Sequence, residues 1–370
     1  MIREFRYRIE ANEQILNNAE HWLELCRILY NSALAERIYA YKMQGISLSR
    51  FDQQDELSEM KKENSEYKLV NAWALQDVIS RLDKAYKTFF RRVEEGHKNP
   101  GFPRFKGRGR YNSFTLNQNG LKLNGKFLTI SHVGRFKIRL SRRVEGNVKT
   151  VTIVRSSTNK WYVCFSCDEV PEKRLPLSDK IVGIDVGIKS FCVDSDGNKF
   201  DNQRFFSKSE NRIAYCQRRK DRRIKGSNRG NKARILLAKS HDKISNQRND
   251  FLHKTANYYI ENYGTICFET LDISDMKRNH DFAKGISDSG WGIFYGFCSY
   301  KAEDAGRNII RIPRYEPTSK TCSNCLAINE DLTINDRQWV CRSCGVLHDG
   351  DYNAAKNILR VGQTLQEMVS

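Results

Sequence analysis

No apolar run in these 370 residues approaches the ~20 needed to cross a bilayer. The opening stretch, MIREFRYRIEANEQ, lacks the apolar core of a secretory signal. A disulfide framework is also missing: of the 11 cysteines, four have metal-ligand spacing and most of the others stand singly inside apolar segments. That usage fits a reducing cytosol. No Ser-His or Cys-His arrangement suggests a covalent nucleophile, and no second phosphate loop accompanies the one strand–turn motif that could suit an ATPase. These absences leave a chain long enough for two or three domains, with a hydrophobic share of 39% that can build real cores.

Against those absences stands an excess of charge. The chain carries 63 Lys and Arg against 44 Asp and Glu, a formal net charge of +19. Such an excess opposes compaction, and a polyanionic partner, most simply nucleic acid, accounts for it.

In chain order, residues 1–10 alternate as a short strand. A long helix is expected from Asn12 to Gly45, with Ile15, Ala19, Trp22, Cys26, Leu29, Ala33 and Ile38 as its buried stripe. An acidic connector (Asp52 to Glu66) leads to a second helix marked by Trp73, Ala74, Val78, Leu82, Ala85, Tyr86 and Phe89. The following HKNPGFPRFKGRGRYNSFTL interleaves cations with aromatics. Lys98, Arg104, Lys106, Arg108 and Arg110 can reach phosphates, while Phe102, Phe105 and Tyr111 offer flat faces to bases. Residues 114–168 read as β, a small barrel or sandwich. The C-x2-C formed by Cys164 and Cys167 lies in an alternating strand, where an offset of three puts the thiols on opposite faces; no metal or redox site is expected there.

Twelve basic residues against two acidic ones fall between Arg204 and Arg234. Arg218, Arg219, Arg222, Arg223, Lys225 and Arg229 belong to this tract, a candidate nucleic-acid contact. Helical period returns from Ser240 to Tyr263, with Gly264 as its expected stop.

Two further segments, KIVGIDVGIKSF and GTICFETLDI, share a pattern. Val182 and Ile184 precede Asp185 as Ile266 and Phe268 precede Glu269. A carboxylate that interrupts a buried strand is costly unless it sits at the strand end facing a metal or donor. The last chemical segment begins at Thr321: TCSNCLAINEDLTINDRQWVCRSCGVLHDGDYNAAKNIL. Cys322, Cys325, Cys341 and Cys344 form two C-x2-C pairs separated by fifteen residues, the spacing of a tetrahedral zinc cage. Asp351 follows at the start of a helix, with His348 and Asp349 near enough to assist as outer-shell groups or a DNA contact. Asp185, Glu269 and Asp351 converging on one sheet edge could hold two Mg²⁺ about 4 Å apart for phosphodiester hydrolysis.

GFPRFKGRGRYNSFTL, GIDVGIKSF, the basic stretch through KGSNRGNKARILLAKSHDKISNQRNDFLHKTA, CFETLDI, GWGIFYGFCSYKA, YEPTSKTCSNC and CRSCGVLHDGDYNAAKNIL together resemble the TnpB (OrfB) family of bacterial insertion-sequence proteins. Its members are RNA-guided DNA endonucleases related to type V CRISPR effectors. The resemblance implies an α+β multidomain fold. A RuvC (RNase H-like) domain would span 178–315 and 346–370, with Asp185, Glu269 and Asp351 as catalytic, Mg²⁺-binding acids. A zinc-ribbon insert would occupy 316–345, holding one Zn²⁺ on the four cysteines. A wedge β-barrel (1–10 and 97–172) would be interrupted by a helical recognition domain (11–96). Implied partners are a guide RNA and double-stranded target DNA bearing a short flanking motif, in a bacterial cytoplasm. A nuclease-dead DNA-binding repressor and an RNA-independent strand transferase are the alternatives. Two positions depart from the family pattern: Leu326 stands where glycine is common, and Gly350 replaces the usual arginine.

Overall fold

The computed structural model describes residues 2–117, 120–333 and 336–368. Contacts divide the chain into two compact units, Met1–Pro171 and Glu172–Ser370.

The first unit joins a seven-stranded antiparallel sheet to helices. β1 (Arg3–Glu10) leads into α1 (Glu13–Gln44), which starts where the Asn12 side chain accepts from the Ile15 N–H and stops at Gly45, with φ at 68°. The predicted stripe is largely buried: Ala19, Trp22, Cys26, Leu29 and Ala33 all face the core. The expected connector is instead helical, as α2 (Arg50–Asp55), α3 (Leu57–Glu63) and a 3₁₀ turn at Ser65–Leu69. Its hydrophobicity is low, but a capping box between Ser49 and Asp52 starts it. α4 (Ala72–Glu94) follows, its first-turn Trp73 facing outward rather than into the core.

Six more strands complete the sheet: β2 (Ser113–Asn117), β3 (Leu121–Asn124), β4 (Phe127–Ile130), β5 (Gly134–Arg139), β6 (Asn147–Arg155) and β7 (Trp161–Asp168). Their order is β2-β6-β7-β1-β5-β4-β3. β7 alternates strictly, with Cys167 buried and Cys164 on the opposite face, so this C-x2-C cannot close on one metal.

The second unit is built on a five-stranded sheet of order β10-β9-β8-β11-β12. β8 (Ile181–Val186) and β9 (Ser190–Asp194) are antiparallel neighbours, with β10 (Lys199–Asp201) at the edge. The basic tract folds as a helical hairpin, with Arg222, Arg223 and Lys225 in its connecting turn. α5 (Phe205–Asp221) and α6 (Asn228–Asn262) carry the chain back across the sheet. α6 begins twelve residues before the expected Ser240, because the Ser227 hydroxyl caps the Gly230 N–H. Nor does Gly264 stop the helix, which ends at Asn262. A Cβ at Gly264 would lie 1.7 Å from the Ser178 carbonyl oxygen, so close backbone approach is what requires glycine there. β11 (Thr265–Glu269) then pairs parallel to β8; α7 (Ile273–Met276), α8 (His280–Ser289) and α9 (Trp291–Ala305) lead to β12 (Asn308–Ile312), parallel to β11. The chain ends in a small hairpin, β13 (Gln338–Val340) with β14 (Leu347–Asp349), and α10 (Gly350–Glu367).

Both faces of this sheet are covered, which explains the near-continuous apolar runs of its parallel strands. Val182, Ile184, Ile266 and Phe268 pack with Leu252 and Tyr259 of α6 and Phe294 of α9, while Cys267 joins Ile358 of α10. The second interface needs glycine on both sides. A Cβ on Gly183 would meet the Ala355 carbonyl oxygen at 2.2 Å, and one on Gly362 would meet Cys267 Sγ at 2.3 Å. Gly183→Ala is therefore expected to destabilise the fold by about 1–3 kcal/mol, the range for forced overpacking. Urea unfolding checks it: a midpoint shift without a change in slope is the expected result.

Candidate active site and metal centre

Strand alternation decides where the two strand acids go. Val182 and Ile184 face α6 and α9, so Asp185 faces the α10 side; Ile266 and Phe268 fix Glu269 in the same way. The parallel register pairs Phe268 with Ile184, which brings both acids to the same strand ends, one position further on. α10 lies over that face, and its first turn holds Asp351. The three sequence-predicted carboxylates thus line one open cleft of about 670 Å³, shared with Lys189, Arg204, Lys320 and Arg337.

The electrostatics of the cleft follow from burial and like charge. Burial first, then Glu269 and Asp351, push the Asp185 carboxyl well above the usual range, against the opposing pull of Arg337. Burial likewise raises Glu269, partly offset by the Thr318 hydroxyl, which donates to Glu269 Oε1. Arg337 Nη1 lies 3.2 Å from Asp351 Oδ1. Three carboxylates lining one cleft, with Asp185 and Glu269 resisting ionisation, are a donor set suited to a hard divalent cation, which would supply positive charge there.

Several of these partners escaped the sequence reading. Thr318 lies within YEPTSKTCSNC without standing out there, and Arg337 has no motif of its own. Asn353 and Asn357 are buried in α10 and bind the base of the cysteine segment: Asn353 Oδ1 accepts from the Ser323 N–H at 2.9 Å, and Asn357 Nδ2 donates to the Thr318 and Thr321 carbonyls at 2.9 and 2.6 Å. Two asparagines at i and i+4 on an otherwise apolar helix face were the available signal.

The four predicted cysteines do converge. Their Sγ atoms lie within 4.8 Å of one another, the only such cluster of three or more ligating side chains among the described residues. Cys322–Cys344 and Cys325–Cys341 sulfurs are 3.7 and 3.6 Å apart, close to the ~3.8 Å edge of a tetrahedron with Zn–S bonds of about 2.3 Å. The knuckles repeat one design: the Leu326 N–H donates to the Cys322 carbonyl at 2.9 Å and the Gly345 N–H to that of Cys341 at 2.8 Å. Backbone N–H groups aimed at sulfur lower Cys341, and that of Val346 helps to bring Cys344 down to about 6. The four-thiol cluster fits a zinc ribbon.

Three other expectations resolve differently. His348 is buried with Nε2 3.0 Å from Cys322 Sγ, so it serves the cysteine cage and is not free to touch DNA. Asp349 caps α10 by accepting from the Tyr352 N–H at 3.1 Å, and its charge adds to the repulsion felt by Asp185. Tyr111 is buried beside Tyr30, and Phe102 packs edge-on against Tyr86 and Phe89; of the three aromatics offered to bases, Phe105 is the most exposed. Of the candidate nucleic-acid residues, Arg104, Arg108, Arg110, Arg218, Arg219, Arg222, Arg223, Lys225 and Arg229 are exposed, while Lys106 is half-buried over the Tyr30 ring.

Two outcomes are expected from this geometry. Leu326 sits at φ 65°, while its counterpart Gly345 sits at 75° without penalty. Leu326→Gly should stabilise the knuckle by about 1 kcal/mol, read as slower metal loss to a chelator. The raised acids set a pH dependence. A carboxyl raised in the folded state holds its proton more tightly there, so the metal-free fold loses stability as pH climbs from about 4 through the raised values. Asp185→Asn should remove the Asp185 share of that loss, gaining about 1–3 kcal/mol in EDTA at pH 8 and little near pH 4. Thermal unfolding across that range checks it.

Comparison with known proteins gives this geometry a family. Residues 164–280 match the family described as "Probable transposase", and residues 291–358 one described as "Cas12f1-like, TNB domain". Residues 1–45 match a "Helix-turn-helix domain", although here the span is one strand and one unbroken helix. A Streptomyces pristinaespiralis protein named "Putative RNA-guided DNA endonuclease" is 31% identical over 366 residues, covering 97% of this chain and 89% of its own length. "Putative RNA-guided DNA endonuclease InsQ" of Escherichia coli K12 is 27% identical over 383 residues, covering 98% and 93%. The fold resembles Cas12f1 in its sgRNA–target DNA complex, with a TM-score of 0.57 at 17% identity over 94% of this chain and 83% of that one. It also resembles the mini-RNA-guided endonuclease CRISPR-Cas_phi3, at 0.53 and 11% over 98% and 92%. Kinship over nearly the whole chain, joined to the ribbon beside the carboxylate cleft, makes this protein a member of the TnpB (OrfB) family.

Proposed function

We propose that this protein is an RNA-guided DNA endonuclease that hydrolyses phosphodiesters at the Asp185–Glu269–Asp351 cleft. The observation that supports this most directly is the convergence of two strand-end acids and one helix acid on one cleft, the strand-end pair with raised proton affinity and the helix acid paired with Arg337. Glu172–Ser370 then acts as a RuvC-type nuclease unit carrying a zinc-ribbon insert. The first unit, with strands at 1–10 and 97–172 and helices at 11–96, serves as wedge and recognition domains. The +19 charge suits a guide RNA as well as DNA. Guide pairing reads the target sequence while the protein reads shape and a short flanking motif.

Within the cleft, Asp185, Glu269 and Asp351 would hold a pair of Mg²⁺ ions. When bound, the ions supply an activated water and stabilise the leaving oxygen of an in-line displacement. The remaining work belongs to side chains. Thr318 fixes the orientation of Glu269 by donating to its carboxylate. Arg337 holds Asp351 in place and offers the developing phosphorane a nearby cation. This arginine stands where the chain lacks one at Gly350, reaching the acid from the ribbon rather than from the helix. The four cysteines take no chemical part; with Zn²⁺ they fix the segment from which Thr318 and Arg337 project.

Asp185→Ala, Glu269→Ala and Asp351→Ala should each reduce Mg²⁺-dependent DNA cleavage by at least about a thousandfold, with RNA binding nearly unchanged. The protein should be purified from cells carrying its flanking element, and the bound RNA sequenced. Absence of a discrete RNA would remove the guided mechanism; full cleavage by an acid variant would remove the assignment of the site.

A further inference from the structure

Two cations in the cleft have no task in the hydrolysis described above. Lys189 lies in the turn between β8 and β9, and Arg204 immediately precedes α5; both line the same cleft as the three carboxylates. Both are exposed, and neither side chain has a hydrogen-bond or ionic partner among the described residues. The other two cations are engaged, Arg337 with Asp351 and Lys320 with the Glu330 carbonyl.

Arg204 is also held in an unfavourable backbone. Its φ and ψ are 50° and 47°, the left-handed region that residues with a Cβ rarely adopt. The Asn202 side chain secures this conformation. Its Oδ1 accepts from the Arg204 N–H at 3.2 Å, while its Nδ2 donates to the Ile188 carbonyl at 2.8 Å and to Ser289 Oγ at 2.9 Å. A single amide thus fixes the chain beside Lys189 and at Arg204 together. The α5 N-terminus itself cannot serve an anion, because the buried Asp288 carboxylate already accepts from the Phe206 and Ser207 N–H groups at 2.9 and 3.1 Å. This wall of the cleft therefore presents an incoming anion with two side-chain cations rather than with a helix end.

We infer that Lys189 and Arg204 form a phosphate clamp for the DNA strand being cut, gripping a backbone phosphate beside the scissile one, with Asn202 as the positioning residue. The inference rests on the reading of the cleft as the hydrolytic centre. A polyanion entering among three carboxylates meets repulsion, and two unpaired cations on the wall shared by the β8–β9 turn and the start of α5 would offset it while setting the direction in which the strand lies. A grip on a non-reacting phosphate strengthens ground and transition states alike, so it lowers KM and leaves kcat nearly unchanged. The left-handed Arg204 is then backbone strain retained where binding needs the side chain.

Arg204→Gly separates the clamp from a structural role, because glycine adopts this backbone freely. The full chain with its co-purified RNA would be compared with its Arg204→Gly, Arg204→Lys and Lys189→Ala variants. Two readouts are needed: Mg²⁺-dependent cleavage of a matched DNA, and site-resolved photocrosslinking to a short oligothymidylate carrying 4-thiothymidine. For Arg204→Gly we expect an unchanged or higher Tm, crosslinks to cleft peptides reduced at least about fivefold, KM raised about tenfold, and kcat within about twofold. Each lost cation should reduce the slope of log affinity against log salt by about 1, and Arg204→Lys should recover most of the loss. Unchanged crosslinks, or a lowered Tm with crosslinking intact, would overturn the clamp. Because crosslinking does not require turnover, it tests the clamp even if Asp185→Ala shows the hydrolytic reading to be mistaken.

Discussion

The close seating of α10 on the central sheet is the constraint on which the second unit depends. The helix backbone approaches β8 and β11 so nearly that glycine is required at 183 on one surface and at 362 on the other. No side chain of any chemistry could replace the hydrogen at either place without moving the helix. That seating carries Asp351 to the ends of the strands that bear Asp185 and Glu269. The carboxylate cleft is thus a consequence of packing, created by two positions that have no chemistry of their own.

The cysteine ribbon is tied into the same seating. Asn353 and Asn357, buried on α10, hold the backbone of residues 318–323. From that segment Thr318 reaches Glu269, and from the hairpin Arg337 reaches Asp351. His348 closes the arrangement by contacting Cys322 from the strand that runs directly into α10. Metal cage, helix and acids therefore form one connected unit, in which the ribbon acts through position. Its left-handed Leu326 shows that the turn geometry of the cage outweighs the preference of the residue occupying it.

Charge is arranged in two ways. Over most of the surface the excess is spread along exposed arginines and lysines, notably on the α5–α6 hairpin, where length and helical spacing hold like charges apart. In the cleft it is specific, with a few cations set among three acids, two of which have proton affinities raised by burial and, at Asp185, by the neighbouring carboxylates. The first arrangement is spread and non-specific, whereas the second sets a few cations and three acids at one place.

The sequence by itself determined the periodic elements and the ligand sets. Alternation and helical stripes marked β7, α1 and the buried strands, because side-chain period follows backbone geometry directly. The cysteine spacing, the repeated apolar pattern ahead of Asp185 and Glu269, and the helix carrying Asp351 were all legible, since each is local or repeats a recognisable motif. Low hydrophobicity hid α2, α3 and the first turns of α6; α2 starts on the Ser49–Asp52 capping box and α6 on the Ser227 hydroxyl. Only the tertiary structure decided that Tyr111 is core, that His348 faces sulfur, that Gly264 avoids Ser178, that Thr318 and Arg337 reach the acids, and that Asn202 ties Arg204 at the cleft to the turn at Ile188. Those assignments depend on contacts between residues distant in the chain. No local pattern encodes them, because the partner is supplied only when the sheet, the helix and the ribbon close on one another.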